Sequence, residues 1–243
     1  MWAIFKKEFF GFFSSVVGVL VIVIFLVITG LMLWVFDTPY NIYNAAYADL
    51  TLFFELAPWV FLFLIPGICM KSFSEEQRQG TLELLLTKPI SLKGLILGKF
   101  FGAFVLSFIA ILPSLVYVIS IQNLASNPEN IDYGAMAASY FGLLFLIVVY
   151  TAIGIFSSTL SSNQLTAFMF GVVLCLVVFY AFYGLSASGI FGNDIFALEF
   201  LSLNYHYKAM MRGVIDSRDL IYFISIWVLF MSFTFWRLKS LKS

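Results

Sequence analysis

Residues 71–99 read KSFSEEQRQGTLELLLTKPISLKGLILGK, a charged interruption in a chain that is otherwise nearly continuous hydrocarbon. Five of the thirteen Lys and Arg residues fall inside it, and at its centre sits a short apolar word, Leu82-Glu83-Leu84-Leu85-Leu86. That word is too short to cross a bilayer, which takes about 20 apolar residues. It must therefore cover itself against something at the membrane surface.

Local chemistry predicts its shape. Ser74-Glu75-Glu76-Gln77 fits a capping box, in which the serine oxygen and the glutamine side chain satisfy free amides at a helix start. Gly80 ends or bends that helix in the left-handed conformation. Thr81 caps a second, very short helix with Glu83 in its first turn, where an acid suits the positive dipole end. Pro89 forces Lys88 towards extended backbone, so the short helix ends by Thr87. Ser91 caps whatever follows.

Working outward, the 243 residues are 62% hydrophobic and only 11% charged, against about 25% charged in a soluble domain. With a mean hydropathy of +1.02, this is an integral membrane protein. Its uncharged runs are long and unalternating, which excludes the alternating strands of a β-barrel and predicts an all-α bundle. Zero net charge and no basic tail give no case for nucleic acid. Cys69 and Cys175 both fall in apolar spans, where a thiol behaves as a small hydrophobe. There is no Cys/His metal spacing, and one histidine is no basis for a zinc or haem site.

Hydropathy places six spans at 14–36, 50–70, 100–121, 134–156, 166–185 and 220–238, in a single transmembrane domain covering 1–243. Residues 1–13, with Trp2, Phe5, Phe9, Phe12 and Phe13 around Lys6-Lys7-Glu8, predict an amphipathic helix lying in the interface. The alternative is the frayed front of the first span, dressed with belt aromatics. The apolar run to Phe36 is too long for a cleaved signal and lacks a small-residue cleavage site. The second span carries Glu55, Pro58 and Pro66, so a bend is expected, with one acid near its outer end. Gly94, Gly98 and Gly102, four residues apart, make a groove for close helix approach.

Basic residues orient the chain. With both termini cytoplasmic, ten of the thirteen lie inside, and only Lys208, Arg212 and Arg218 lie outside.

Glu75-Glu76, then Gly80-Thr81-Leu82-Glu83-Leu84-Leu85-Leu86 and Pro89-Ile90-Ser91, resemble the cytoplasmic signature of the type-2 ABC transporter permeases. Ser157-Ser158-x-Leu160-Ser161-x-Asn163-Gln164 resembles that family's turn between spans 4 and 5. His206-x5-Arg212-Gly213-Val214-Ile215-Asp216-x-Arg218-Asp219-Leu220-x-Tyr222 resembles its approach to span 6. Short loops without an insertion look most like the gliding-motility permease subunit of Bacteroidetes (GldF-type).

The resemblance implies an N-terminal interfacial helix, a coupling helix between spans 2 and 3, and a re-entrant external segment between spans 5 and 6, here within 185–219. It implies that Glu75, Glu76, Gly80, Thr81, Leu82, Glu83, Leu84, Leu85 and Pro89 form the surface that docks on a separate ABC ATPase. It also implies a second permease half, either a homodimer partner or a membrane protein with a large extracytoplasmic part, in the bacterial inner membrane. No cofactor is expected in this chain; ATP and Mg would be bound by the partner ATPase.

The residues leave alternatives open. Gly94-Leu-Ile-Leu-Gly98-Lys99-Phe100 approaches a phosphate loop, but it is one residue short and ends in Phe100 where a magnesium-binding hydroxyl is required. Energy must then come from another subunit. Glu55 is a functional candidate as a membrane-depth carboxylate, or it simply reaches the headgroups. His206, Arg212, Asp216, Arg218 and Asp219 form an external polar cluster, read as an ion-pair network that fixes the turn. An intramembrane enzyme would need a hydroxyl and a histidine facing each other in the bilayer, yet Gly184-Leu185-Ser186-Ala187-Ser188-Gly189 misses GxSxG. A complex that transmits force and moves no substrate would carry the same spans.

Overall fold

The computed structural model describes residues 1–14, 16–45, 49–87, 90–125, 131–187 and 199–242. Within them the chain is helical: α1 (Trp2–Ser14), α2 (Val16–Trp34), α3 (Thr51–Cys69), α4 (Lys71–Arg78), α5 (Thr81–Thr87), α6 (Leu92–Ile111), α7 (Leu115–Leu124), α8 (Tyr133–Ser158), α9 (Gln164–Leu176), α10 (Phe182–Ala187), α11 (Leu203–Met211) and α12 (Ser217–Lys242). Five continuous helical runs are long and apolar enough to cross a membrane. The pair α1 and α2, bent by 63°, makes a sixth if counted as one span.

α8 and α3 are the inner helices. In their apolar stretches 72% and 67% of residues are buried, against 22–33% in the other three runs. Around them the core is aromatic: Phe25 stacks on Phe61 at 4.5 Å and meets Phe53 edge-on. Small residues let the inner helices approach, since a Cβ on Gly154 would meet Cys69 at 2.8 Å and one on Gly171 would meet Pro66 at 2.9 Å.

Two boundaries differ from expectation. α3 does not break at its prolines or at residue 70: Met70 keeps helical dihedrals, φ −54° and ψ −30°, so α3 and α4 form one rod from Thr51 to Arg78. The predicted capping box is therefore overturned. Ser74 lies inside that rod and its hydroxyl donates back to the Met70 carbonyl, while Gln77 Nε2 reaches the Thr159 carbonyl at 3.1 Å. The third span likewise starts early, at Leu92, where Ser91 accepts a hydrogen bond from the Gly94 amide at 3.2 Å. It runs through a 3-10 turn at Pro113 to Leu124.

Pro58 has no amide proton for the Phe54 carbonyl one turn back. Tyr207 of α11 supplies one instead, its hydroxyl donating to Phe54 O at 2.8 Å. Burial pushes the Tyr207 phenol well above its ordinary pKa, with Glu55 adding to the effect, so it stays a donor. Tyr207→Phe should cost about 1–3 kcal/mol, the penalty for a stranded buried acceptor. In a detergent melt, Pro58→Ala in the same chain should return most of that loss by restoring the amide; additive losses would refute this pairing.

Candidate functional site

The rod α3–α4 carries a short knuckle at its end. Gly80 takes φ +68°, a conformation that side chains rarely adopt, and turns the chain into α5. Thr81 is half-buried and its hydroxyl donates to the Glu76 carbonyl at 3.4 Å, bracing the turn rather than capping an amide. Leu82 and Leu86, one turn apart, are each 5% exposed and pack into the core. Leu84 is 65% exposed, Glu83 is exposed beside it, and Leu85 lies half-buried between the two faces. Pro89 lies outside the described residues.

Behind the knuckle is an ion anchor that sequence reasoning missed. Lys99 is 2% exposed, and its ammonium donates to Glu8 Oε1 at 2.9 Å, Glu76 Oε1 at 2.8 Å and the Ser72 carbonyl at 2.6 Å. All three ammonium protons are used, and the charge sits 5.0 Å from the Phe73 ring centroid. Glu76, expected on the docking surface, thus faces inward and ties α4 to α6. Its second oxygen, Oε2, is buried without a hydrogen-bond partner among the described residues. Glu75 is half-buried and accepts from Gln79 Nε2 at 3.3 Å. A cleft of about 380 Å³ opens beside the anchor, lined by Lys7, Lys71 and Glu75 among others.

The glycine groove is occupied by α1. A Cβ on Gly98 would meet Ile4 at 2.9 Å, and one on Gly102 would meet Glu8 Cβ at 2.7 Å. Gly94 faces Met1 less tightly, at 3.7 Å. α1 turns Ile4, Glu8 and Phe12 towards the bundle and leaves Trp2, Phe10 and Phe13 exposed.

At the opposite end the polar cluster is not one network. His206 Nδ1 lies 2.6 Å from Asp219 Oδ1 and Nε2 lies 2.9 Å from the Phe200 carbonyl, with the ring stacked on Tyr222 at 4.1 Å. Asp216 accepts instead from the Arg218 amide at 2.9 Å, and Arg212 Nε donates to the Lys208 carbonyl at 3.3 Å. Both arginines are exposed and form no ion pair among the described residues. Glu55 is exposed near the start of α3. Of the expected re-entrant segment, 188–198 lie outside the described residues.

Comparison with curated proteins gives no match. A family model described as ABC-2 family transporter protein matches residues 2–236. Members of that family are membrane subunits of ABC transporters, and ATPase activity lies in partner chains. A rod of helix ending in a half-exposed leucine knuckle, in an all-helical bundle matched over nearly its whole length, places this chain in the ABC-2 transporter family.

Proposed function

We propose that α5 is the coupling helix of this permease and that its exposed edge, centred on Leu84, docks in a groove on the ABC ATPase. Leu84 carries the reading: a leucine 65% exposed on a helix whose Leu82 and Leu86 are packed inward has an apolar surface left for a partner. Glu83 and Thr87 flank it on the exposed side. Positive-inside asymmetry supports a cytoplasmic knuckle and cytoplasmic termini in a bacterial inner membrane. ATP closure of the partner would push the knuckle, and the α3–α4 rod would carry the displacement into the bundle. Two permease halves and two ATPases would make the working particle, with ATP and Mg held by the ATPases. The loop lengths support work of the gliding-motility or secretion kind in the cell envelope, by export or by transmitted force.

Leu84→Asp should lower recovery of the co-expressed ATPase on the tagged chain at least tenfold while the amount of chain in membranes is unchanged. Equal recovery would overturn the docking assignment.

A further inference from the structure

The end of the bundle opposite the knuckle holds a cleft of about 230 Å³ that ATPase docking does not use. It lies where the start of α3 meets α11 and the π-helical turn Val177–Ala181. Glu55 enters from α3, exposed and, among the described residues, without a hydrogen bond or ion pair. Lys208 enters from α11, its ammonium held 4.6 Å over the Tyr183 ring and 3.5 Å from that hydroxyl. Trp59 and Tyr180 complete the wall, 5.4 Å apart. Tyr180 sits in the π turn itself, and such turns, costly in regular helix geometry, recur at functional sites.

The charge arrangement selects a ligand class. Glu55 and Lys208 share one cleft and do not pair, because the ammonium is held on Tyr183. A simple anion would meet Glu55, and a simple cation would meet Lys208. A molecule carrying both charges satisfies both: its ammonium binds Glu55 and the electron-rich faces of Trp59 and Tyr180, while its phosphate binds Lys208 and the Tyr183 hydroxyl. The volume falls below the roughly 300–1,000 Å³ of drug-sized sites. Glu55 lies about 6 Å along α3 from its first residue, close to headgroup depth if that end meets the interface. We propose that this cleft binds a phosphoethanolamine zwitterion, presented as a lipid headgroup or as a free compound. The assignment stands independently of ATPase docking.

The test uses the full chain in nanodiscs of phosphatidylglycerol alone, titrated with glycerophosphoethanolamine in a calorimeter. Saturable binding is expected, with ethanolamine and glycerol phosphate each binding at least tenfold more weakly. Glu55→Gln and Lys208→Met should each weaken binding at least tenfold while the melting temperature and ATPase recovery hold, and Lys208→Arg should retain it. Phosphatidylethanolamine in the nanodisc abolishes the titration if the natural ligand is a lipid headgroup and leaves it intact if the ligand is free. Absence of binding to the wild type, or wild-type affinity in either charge-removing variant, overturns the proposal; loss of ATPase recovery by Leu84→Asp is unaffected by either result.

Discussion

Lys99→Met is expected to destabilise the protein by about 3–5 kcal/mol, the cost typical of removing one partner from a buried ion pair. The size follows from what is left behind. Glu8 and Glu76, whose side chains are only 18% and 14% exposed, would converge on an apolar methionine with no cation between them. The Ser72 carbonyl would lose its 2.6 Å donor as well. Two carboxylates left facing each other without their cation repel, so the region must open to water. Thermal melting in detergent checks the loss. The triple variant Lys99→Met, Glu8→Gln, Glu76→Gln should recover most of it, because a neutral cluster of similar volume has no stranded charge. A single variant as stable as the wild type would show that the anchor contributes little. The knuckle should respond too: with α4 released from α6, amides of Thr81–Thr87 should exchange faster than in the wild type.

The sequence made the knuckle legible and left its anchor hidden, for reasons of range. Gly80, Pro89 and Ser91 act on neighbours within a few residues, so a positive φ, a helix end at Thr87 and a cap could be placed from residue chemistry alone. The capping box failed because Ser74 and Gln77 compete with a longer-range choice: α3 carries its helix through Met70, and a serine within a helix bonds back one turn. Lys99 to Glu8 spans 91 positions and Lys99 to Glu76 spans 23, and no periodicity encodes such a meeting. One signal was available. Lys99 follows Gly98 within the glycine-spaced stretch, so a charge sat on a helix already marked for close packing. The external cluster erred the same way, since five polar residues near in sequence were read as one network. Only His206 and Asp219 meet through side chains; Asp216 turns to a backbone amide at a helix start.

Gly98→Val together with Gly102→Val should drive α1 off the bundle. At both positions a Cβ lands inside van der Waals contact, 2.9 Å from Ile4 and 2.7 Å from Glu8 Cβ, and at Gly98 the Met1 carbonyl oxygen stands at 3.1 Å as well. Overpacking costs about 1–3 kcal/mol per site, whereas valine returns less than about 0.5 kcal/mol of helix propensity over glycine. Strain therefore outweighs propensity, and the question is which part yields. α6 is held on several sides by the bundle, but no residue of α1 is fully buried, so release of α1 is the easier relaxation. Release would take Glu8 away from Lys99, which would keep Glu76 and the Ser72 carbonyl as its partners. Hydrogen exchange in nanodiscs should show the amides of Trp2–Ser14 exchanging at least tenfold faster, with α8 unchanged. Gly11→Val is the matched control, since a Cβ there meets nothing within 4 Å and α1 should stay docked. Protected α1 amides in the double variant would mean that the groove tolerates side chains and that close approach is not what holds this helix.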